Sequence, residues 1–469
     1  MMDRVLRGMQ EHPLVEPIFE EARTRGETVY LVGGAIRDLA LGLVPKDLDF
    51  ATEHPFELAT RFAERYGSRV VSLGKEAFST YRIPLEGFCL DWVGLAGGAI
   101  EPDLLRRDFT MNAIAYDSES GAFLDPTGGF GDLAEGRLKM AGSSAFFDDP
   151  VRIVKAYRLM AQFPTFKLDP ETEAAIAAQR DMLVDVPPDR LHVELERLMQ
   201  SPSAGAAMRK MAQSGVLFVL MPEMQPLKGL AQNDYHHADV LDHTLEALER
   251  FDGGLEWLRD LGVPAPSVHD LVVLRLACLM HDTGKADTSS VDEKGRIHFY
   301  GHSKPSSEKA LEALKRLRFS NAVAEAAASL SLNHLRPLAL LKTVPRQTAM
   351  RRLVHSMGDL LPLLMALAYA DKSAARGRDC EKNLSELKAL SQEVMALSAS
   401  DGDHLRRLPK LVDGLQAVEI LGLQRPGPEL GLALDALLEK QVDGTITEPS
   451  QAVAFLKGWA ARHPATAKR

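Results

Sequence analysis

The stretch Tyr30–Thr52, Y-L-V-G-G-A-I-R-D-L-A-L-G-L-V-P-K-D-L-D-F-A-T, decides how the rest of this 469-residue chain is read. It opens on apolar residues of strand character, turns at Gly33-Gly34, and continues into a short helix expected over Ala35–Leu41 that ends near Gly42. Past Pro45 a second apolar run carries Asp47 and Asp49. Residues two apart in a strand point to the same face, so both carboxylates project into one small volume. Like charges held that close are costly without a neutralising cation, and hard divalent ions such as Mg²⁺ take oxygen ligands. The diglycine lets backbone N–H groups approach a phosphate. A phosphate cradle beside a metal-binding carboxylate pair points to transfer chemistry on a nucleotide. On these residues alone, a surface turn with a solvated acidic pair fits equally well.

Working outward, length and apolar content allow about two to four domains with sizeable cores. No window holds the roughly 18 consecutive apolar residues of a membrane span, and the start M-M-D-R-V-L-R-G-M-Q-E-H lacks the apolar core of a signal peptide. Three scattered cysteines, Cys89, Cys278 and Cys380, make no C-x-x-C pair. A reducing, cytoplasmic setting without membrane association is the expectation. The net charge of −10 argues against indiscriminate coating of nucleic acid, which needs summed positive charge, but leaves a local basic groove open.

Up to about residue 140 the chain mixes strands and helices. Strands are expected at Thr28–Val32, Leu48–Ala51, Arg69–Ser72, Ser79–Ile83 and Phe88–Val93, and helices at Phe56–Tyr66 and around Asp108–Ile114. From about 145 onward Leu, Met and Ala recur at helical spacing, punctuated at Pro187-Pro188, Gly253-Gly254, Val263–Pro266 and Arg425–Pro428. Within the strand at Phe88–Val93 stands Asp91. An acid among apolar neighbours needs a partner; a shared metal would supply one, and an edge strand facing water would remove the need. In L-R-R-D-F-T-M-N-A, Arg106 and Arg107 precede Asp108 and Asn112. Arginine forks match phosphate oxygens, while Asp108 also suits a plain helix N-cap. Gly128-Gly129 reads as a turn.

Five motifs then follow one another in order: V-G-G-A-I-R-D, D-L-D, R-R-D-F-T-M-N-A-I-A-Y, D-P-T-G-G-F-G-D-L-A-E-G-R-L-K and D-D-P-V-R-I-V-K-A-Y-R. The series resembles the class II tRNA nucleotidyltransferases and bacterial poly(A) polymerases over roughly the first 200 residues. The resemblance implies a polymerase-β-like head in which Asp47 and Asp49 hold catalytic Mg²⁺ and Asp91 is the third carboxylate. It implies that Gly33, Gly34 and Arg37 form the triphosphate turn, and that Arg107, Asp108 and Asn112 grip sugar and phosphates. Asp148-Asp149-Pro150-Val151-Arg152 resembles the family's E-D-x-x-R, with Asp where Glu is usual. Its Asp149 and Arg152, expected on one helical face, would read the base edge, with Arg158 closing the motif. Pro188–Glu194 resembles a further helix of a neck. Only Trp92 to Leu105, with L-A-G-G in the middle, separates the Asp91 strand from R-R-D-F-T. Members of the family use a longer loop there when moving from CTP to ATP, and some with shortened loops add only C-C.

A second constellation lies between about 235 and 375: His243, His281-Asp282 followed by T-G-K, His302, His334 and Asp371. It resembles an HD-type phosphohydrolase domain. Imidazoles and carboxylates suit a divalent metal, Mg²⁺, Mn²⁺ or a Ni²⁺-like ion, which lowers the pKa of bound water for attack on a phosphoester. His243, His281, Asp282 and Asp371 are the expected ligands, with Lys285, His302 and His334 beside the scissile phosphate. His269-Asp270, with no T-G-K-like turn after it, is set aside as a surface pair. The segment Leu408–Ala460, with its G-P-E-L-G turn, resembles the tRNA-binding tail of the family.

The expected fold is α+β: a nucleotidyltransferase head (1–142), a helical neck (143–230), an HD-type body (231–380) and a helical tail (381–469). The expected activity is addition of CTP- and ATP-derived nucleotides to the 3′ end of tRNA. The alternatives are a CC-only enzyme, a poly(A) polymerase of the same family, a phosphohydrolase whose head only binds nucleotide, and a non-catalytic tRNA-binding protein.

Overall fold

The computed structural model describes residues 1–73, 80–95, 98–232, 239–260, 262–344, 346–375 and 380–463. Ser79, Ala96-Gly97 and the lone Cys380 side chain, each used above, fall outside what is described. The chain divides into two compact units, Met1–Pro222 and Glu223–Arg469.

The first unit is built on β1 (Val29–Val32), β2 (Asp47–Thr52), β3 (Val71–Leu73), β4 (Thr80–Leu85), β5 (Phe88–Gly94), β6 (Ala115–Asp117) and β7 (Phe123–Leu124). They form one sheet in the order β3-β4-β5-β2-β1-β6-β7. β1 and β2 are antiparallel with Val32 opposite Asp49. β2 and β5 are parallel, so Asp47 stands opposite Cys89 and Asp49 opposite Asp91. Alternation then sorts the two faces. Leu48, Phe50, Leu90 and Trp92 point away from the acids and are buried. Phe50 stacks on Trp92 at 4.9 Å and Phe62, from helix Pro55–Arg65, lies 5.4 Å from the same indole. The acid-bearing face continues as an apolar cluster of Val32, Ala51, Ile100, Leu104, Ala113 and Ala115.

Two expectations change here. No α-helix runs over Asp108–Ile114. Phe109 is extended and only Thr110–Asn112 turns, as a 3₁₀ segment. Phe109, Met111, Ala113 and Ile114 are all buried, so the segment has no polar face to give an exposed helix. Likewise Asp149 and Arg152 do not share one continuous helix. Helix Ala145–Asp148 ends at Asp149, which is extended, and a new helix, Val151–Gln162, begins after Pro150. Proline disfavours helical backbone in the residue before it. The helix at the diglycine turn spans Gly34–Ala40.

Among the described residues the second unit is helical apart from a short antiparallel pair, Ser290–Val291 with Ile297–His298. The stretch Arg346–Ala374 is long and apolar enough to cross a membrane by length and composition. It is interrupted by a 3₁₀ segment at Gly358–Leu360, and Leu364, Met365, Ala366 and Leu367 are buried in the protein. That composition serves as a core helix pair. The last helices close over Ala417, Leu421, Ala433, Leu437, Ala452 and Leu456.

Candidate functional site

Gly33 sits at φ +72°, a conformation favouring glycine. A Cβ there would lie 2.5 Å from Arg107 Nη1 and 3.5 Å from Asp49 Oδ2. Its bare backbone lets an arginine and a carboxylate close on the turn between β1 and the helix. Asp47 is exposed and Asp49 half-buried. Burial pushes the Asp49 carboxyl up; Arg107 opposes this, and Asp91 and Asp47 add to it. Such a pair is short of positive charge and fits a divalent cation held by oxygen ligands.

Arg37 is buried and fully engaged: Nη1 donates to Asn112 Oδ1 at 2.8 Å, and Nε and Nη2 donate to Asp38 Oδ1 at 2.9 and 2.7 Å. Asn112 Nδ2 donates to Asp108 Oδ1 at 2.9 Å, and Lys155 forms an ion pair with the other oxygen. Burial penalises the Asp108 charge, but Lys155, Asn112 and the Phe109 N–H outweigh it and hold the carboxyl well below the usual range. Instead of the plain helix cap that Asp108 also suited, it joins a network running Arg37–Asn112–Asp108–Lys155. Arg107 is held by Asp103 through Nε and Nη2 at 3.2 and 3.1 Å.

These residues line a cleft of about 960 Å³, the size of a site for a nucleotide-scale ligand. Gly34, Arg37, Asp47, Asp49, Arg107, Asp108, Asn112, Asp149, Arg152 and Arg158, all expected from sequence, lie along it. At its far side Asp149 Oδ2 accepts from Arg190 Nη2 at 2.7 Å, whereas Oδ1 is buried and has no partner among the described residues. Arg152 lies 4.0 Å from Asp149 and donates to the Ala145 carbonyl at 3.2 Å. Arg158 donates to Glu194 at 2.6 Å. Asp91 does not line the cleft. It stands in register beside Asp49, but both its oxygens are taken by Arg82 of β4.

Sequence reasoning passed over Lys155, Arg190, Glu194 and Arg82. Lys155 follows Arg152 and precedes Arg158 at three-residue spacing, which already places it on their face of the helix. Arg190 and Glu194 stand one turn apart in helix Pro188–Gln200. Arg82 carries no signal in its own sequence; only the pairing of β4 with β5 brings it to Asp91.

In the second unit the donors come from helix ends. His243 lies in helix Val240–Glu249, His281-Asp282 follow Val268–Met280, His302 precedes Ser303–Arg316, His334 follows Asn321–Asn333, and Asp371 lies in Leu361–Ala374. His243, His281 and Asp371 bring three donor atoms within 4.8 Å of one another, and Asp282, His302 and His334 do the same. His281, His302 and His334 each turn Nδ1 to a backbone carbonyl three residues back, at 2.7, 2.8 and 2.6 Å. A carbonyl only accepts, so each Nδ1 carries a proton and each Nε2 is turned inward, the orientation of metal-bound histidines; burial opposes a second proton on His281, but Asp282 and Asp371 push its pKa up to about 10. His302 Nε2 and His334 Nε2 meet at 3.2 Å, and both face Asp282 Oδ1 at 3.2 and 3.8 Å. His281 Nε2 is buried, 3.3 Å from Asp282 Oδ2, and makes no hydrogen bond among the described residues. Two carboxylates among inward-turned imidazoles call for positive charge, and the donor set fits a divalent metal. Lys285 Nζ sits on Asp282 Oδ2 at 2.7 Å. His269-Asp270 stands apart; Asp270 forms a capping box with Ser267 at the start of its helix.

A carboxylate pair opening on a cation-rich cleft defines an enzyme that transfers nucleotidyl groups, and known proteins carry the same parts in the same order. The model of the Poly A polymerase head domain matches residues 29–86 and 94–139. That of the probable RNA and SrmB-binding site of polymerase A matches 165–228, and that of the HD domain matches 240–376. The A-adding tRNA nucleotidyltransferase of Deinococcus radiodurans is 33% identical over 446 residues, 92% of this chain and 96% of that protein. The CC-adding tRNA nucleotidyltransferase of Thermus thermophilus is 35% identical over 434 residues, 91% and 93%. The chain belongs to the tRNA nucleotidyltransferase family. Its fold matches that of the Thermotoga maritima CCA-adding enzyme complexed with tRNA at a TM-score of 0.60 and 20% identity, covering 97% of this chain and 98% of that one.

Proposed function

We propose that this protein extends the 3′ end of tRNA without a template, joining CTP- and ATP-derived nucleotides and releasing pyrophosphate. The observation that carries this is the single cleft running from Asp47 and Asp49, past the Arg37–Asn112–Asp108–Lys155 network, to Asp149 and Arg152. Asp47 and Asp49 would hold Mg²⁺, which when bound supplies the Lewis acidity for in-line displacement of pyrophosphate by the tRNA hydroxyl. Arg107 and Lys155 offer charge to the phosphates. The unpartnered Asp149 Oδ1 accepts from the exocyclic amine shared by cytosine and adenine, and Arg152 donates to the ring edge. The finer division into head, neck, HD-type body and tail belongs to the same reading.

The test is incubation with tRNA lacking its last one, two or three nucleotides and with labelled CTP or ATP. Extension of all three to C-C-A is expected. Arrest at C-C would instead tie the short Trp92–Leu105 connection to loss of the final adenosine, and long adenosine tracts would make it a poly(A) polymerase. Asp47→Ala should abolish incorporation with an unchanged thermal transition, since Asp47 is exposed. Incorporation at the wild-type rate would refute the assignment.

The histidine–aspartate cluster supports a second activity, metal-dependent phosphoester hydrolysis. His243, His281, Asp282 and Asp371 would hold the ion, Mg²⁺, Mn²⁺ or Ni²⁺-like, with Lys285, His302 and His334 beside the substrate phosphate. Assay of phosphoester substrates with each metal, against His281→Ala, tests it.

A further inference from the structure

Asp91 is buried beside Asp49, yet it is not free. Arg82 grips it with a two-pronged fork, Nε to Oδ1 at 2.8 Å and Nη2 to Oδ2 at 2.6 Å. The Arg82 side chain is 45% exposed and that of Asp91 13%. Among the described residues, the helical clusters alone bring three metal-type donors within 4.8 Å of one another; Asp47, Asp49 and Asp91 do not.

A buried carboxylate must have a counter-charge, and here a guanidinium supplies it from the neighbouring strand. We propose that Arg82 is a positioning residue, an internal counter-cation that holds Asp91 apart from Asp47 and Asp49 and competes with a divalent ion for it. This rests on the reading of Asp47 and Asp49 as metal-holding residues. The exposed stem of Arg82 lets it return to water at little desolvation cost, whereas Asp91 cannot. Only the fraction of molecules in which the fork is open is competent for a three-carboxylate site, so apparent metal affinity is lowered by that fraction. Arg82 thereby sets the cation concentration at which the head becomes complete.

Mn²⁺ binding to the full chain, followed by electron paramagnetic resonance, tests this in wild type, Arg82→Met, Asp47→Asn and the double variant. The sites lost in Asp47→Asn belong to the head and are thereby separated from those of the helical unit. In Arg82→Met these Asp47-dependent sites should bind about tenfold more tightly. Metal-free Arg82→Met should melt below wild type, and saturating Mn²⁺ should close that gap. Arg82→Lys, which keeps charge but loses the fork, should fall between the two and serves where the methionine variant does not fold. Asp47-dependent sites of unchanged or weaker affinity in both variants would overturn the proposal alone. If Asp47→Asn removes no Mn²⁺ site, the metal reading of the head falls and the proposal with it.

Discussion

Arg190 Nη2 donates to Asp149 Oδ2 at 2.7 Å, and Asp149 Oδ1 is left buried and, among the described residues, unpartnered in the same cleft. One oxygen is thus spent on orientation and the other kept for a ligand. Arg190 is half exposed, with 52% of its side chain in contact with water, so the pair adds less than about 1 kcal/mol to stability. Its value lies in aiming Asp149. Arg190→Ala should raise KM for both CTP and ATP about tenfold, equivalent to about 1.4 kcal/mol of binding, and leave the unfolding midpoint nearly unmoved. Steady-state kinetics with each nucleotide checks it; an unchanged KM refutes an orienting role.

Gly129 is required for contact rather than for a turn. A Cβ on it would stand 2.1 Å from the Thr110 carbonyl oxygen and 2.9 Å from Ile114 Cγ1. Both belong to the segment that carries Asn112. Gly129→Ala should therefore cost about 1–3 kcal/mol through overpacking and lower turnover by displacing Asn112. Gly131, two residues on in the helix Gly129–Glu135, has nothing among the described residues within 4 Å of its would-be Cβ. Gly131→Ala should be neutral or stabilise by up to about 1 kcal/mol. Urea denaturation of the two variants side by side separates close packing from helix propensity.

Asp282 holds the second cluster together. It contacts His281, His302 and Lys285, all buried, at 3.3, 3.2 and 2.7 Å. Burial opposes its charge, and His281 and Lys285 more than compensate, holding the carboxyl well below its usual range. Asp282→Ala strands Lys285 in a buried site, and loss of one partner of a buried pair costs about 3–5 kcal/mol. Asp270→Asn, at the exposed capping box, should cost well under half of that. Chemical denaturation in the presence of chelator is the measurement, and equal losses in the two variants would show that the cluster carries no special weight.

The motifs were legible because their chemistry is written in residue type and order. Gly33, Asp47, Asp49, Arg107, Asn112, Asp149 and Arg152 stand in sequence as charged or conformationally special residues among apolar neighbours, and they meet in one place. The HD set was legible for the same reason. β6 and β7, of three and two residues, are too short to show a period. The helix expected at Asp108–Ile114 failed because the segment is buried on every side. Asp149 left its helix because Pro150 follows it. The grip of Arg82 on Asp91 depends on strand pairing, which residue order along one strand does not reveal.

His12 links the first helices to the acid-bearing strands, and its protonation should be felt as lost stability in acid. Its ring is buried, with Nδ1 accepting from Leu14 N at 3.3 Å and Nε2 facing the Pro45 carbonyl at 3.2 Å. A backbone N–H can only donate and a carbonyl only accept, so the ring is neutral, with its proton on Nε2. It also packs edge-on against Phe88, 5.1 Å between centroids, at the start of β5. Pro45 lies two residues before Asp47, so the imidazole ties together the entry points of both acid-bearing strands. Burial lowers the His12 pKa below 6.5, with the Pro45 hydrogen bond opposing in part. The unfolded chain therefore takes up the proton first as pH falls. The contribution of His12 is full above about pH 6.5 and is lost below it, by at most about 1.4 kcal/mol per pH unit. Urea titrations between pH 5 and 8 should show wild-type stability declining below pH 6.5, and His12→Asn should be less stable at pH 8 but flatter across that window. Parallel slopes for the two proteins would remove His12 as the titrating group.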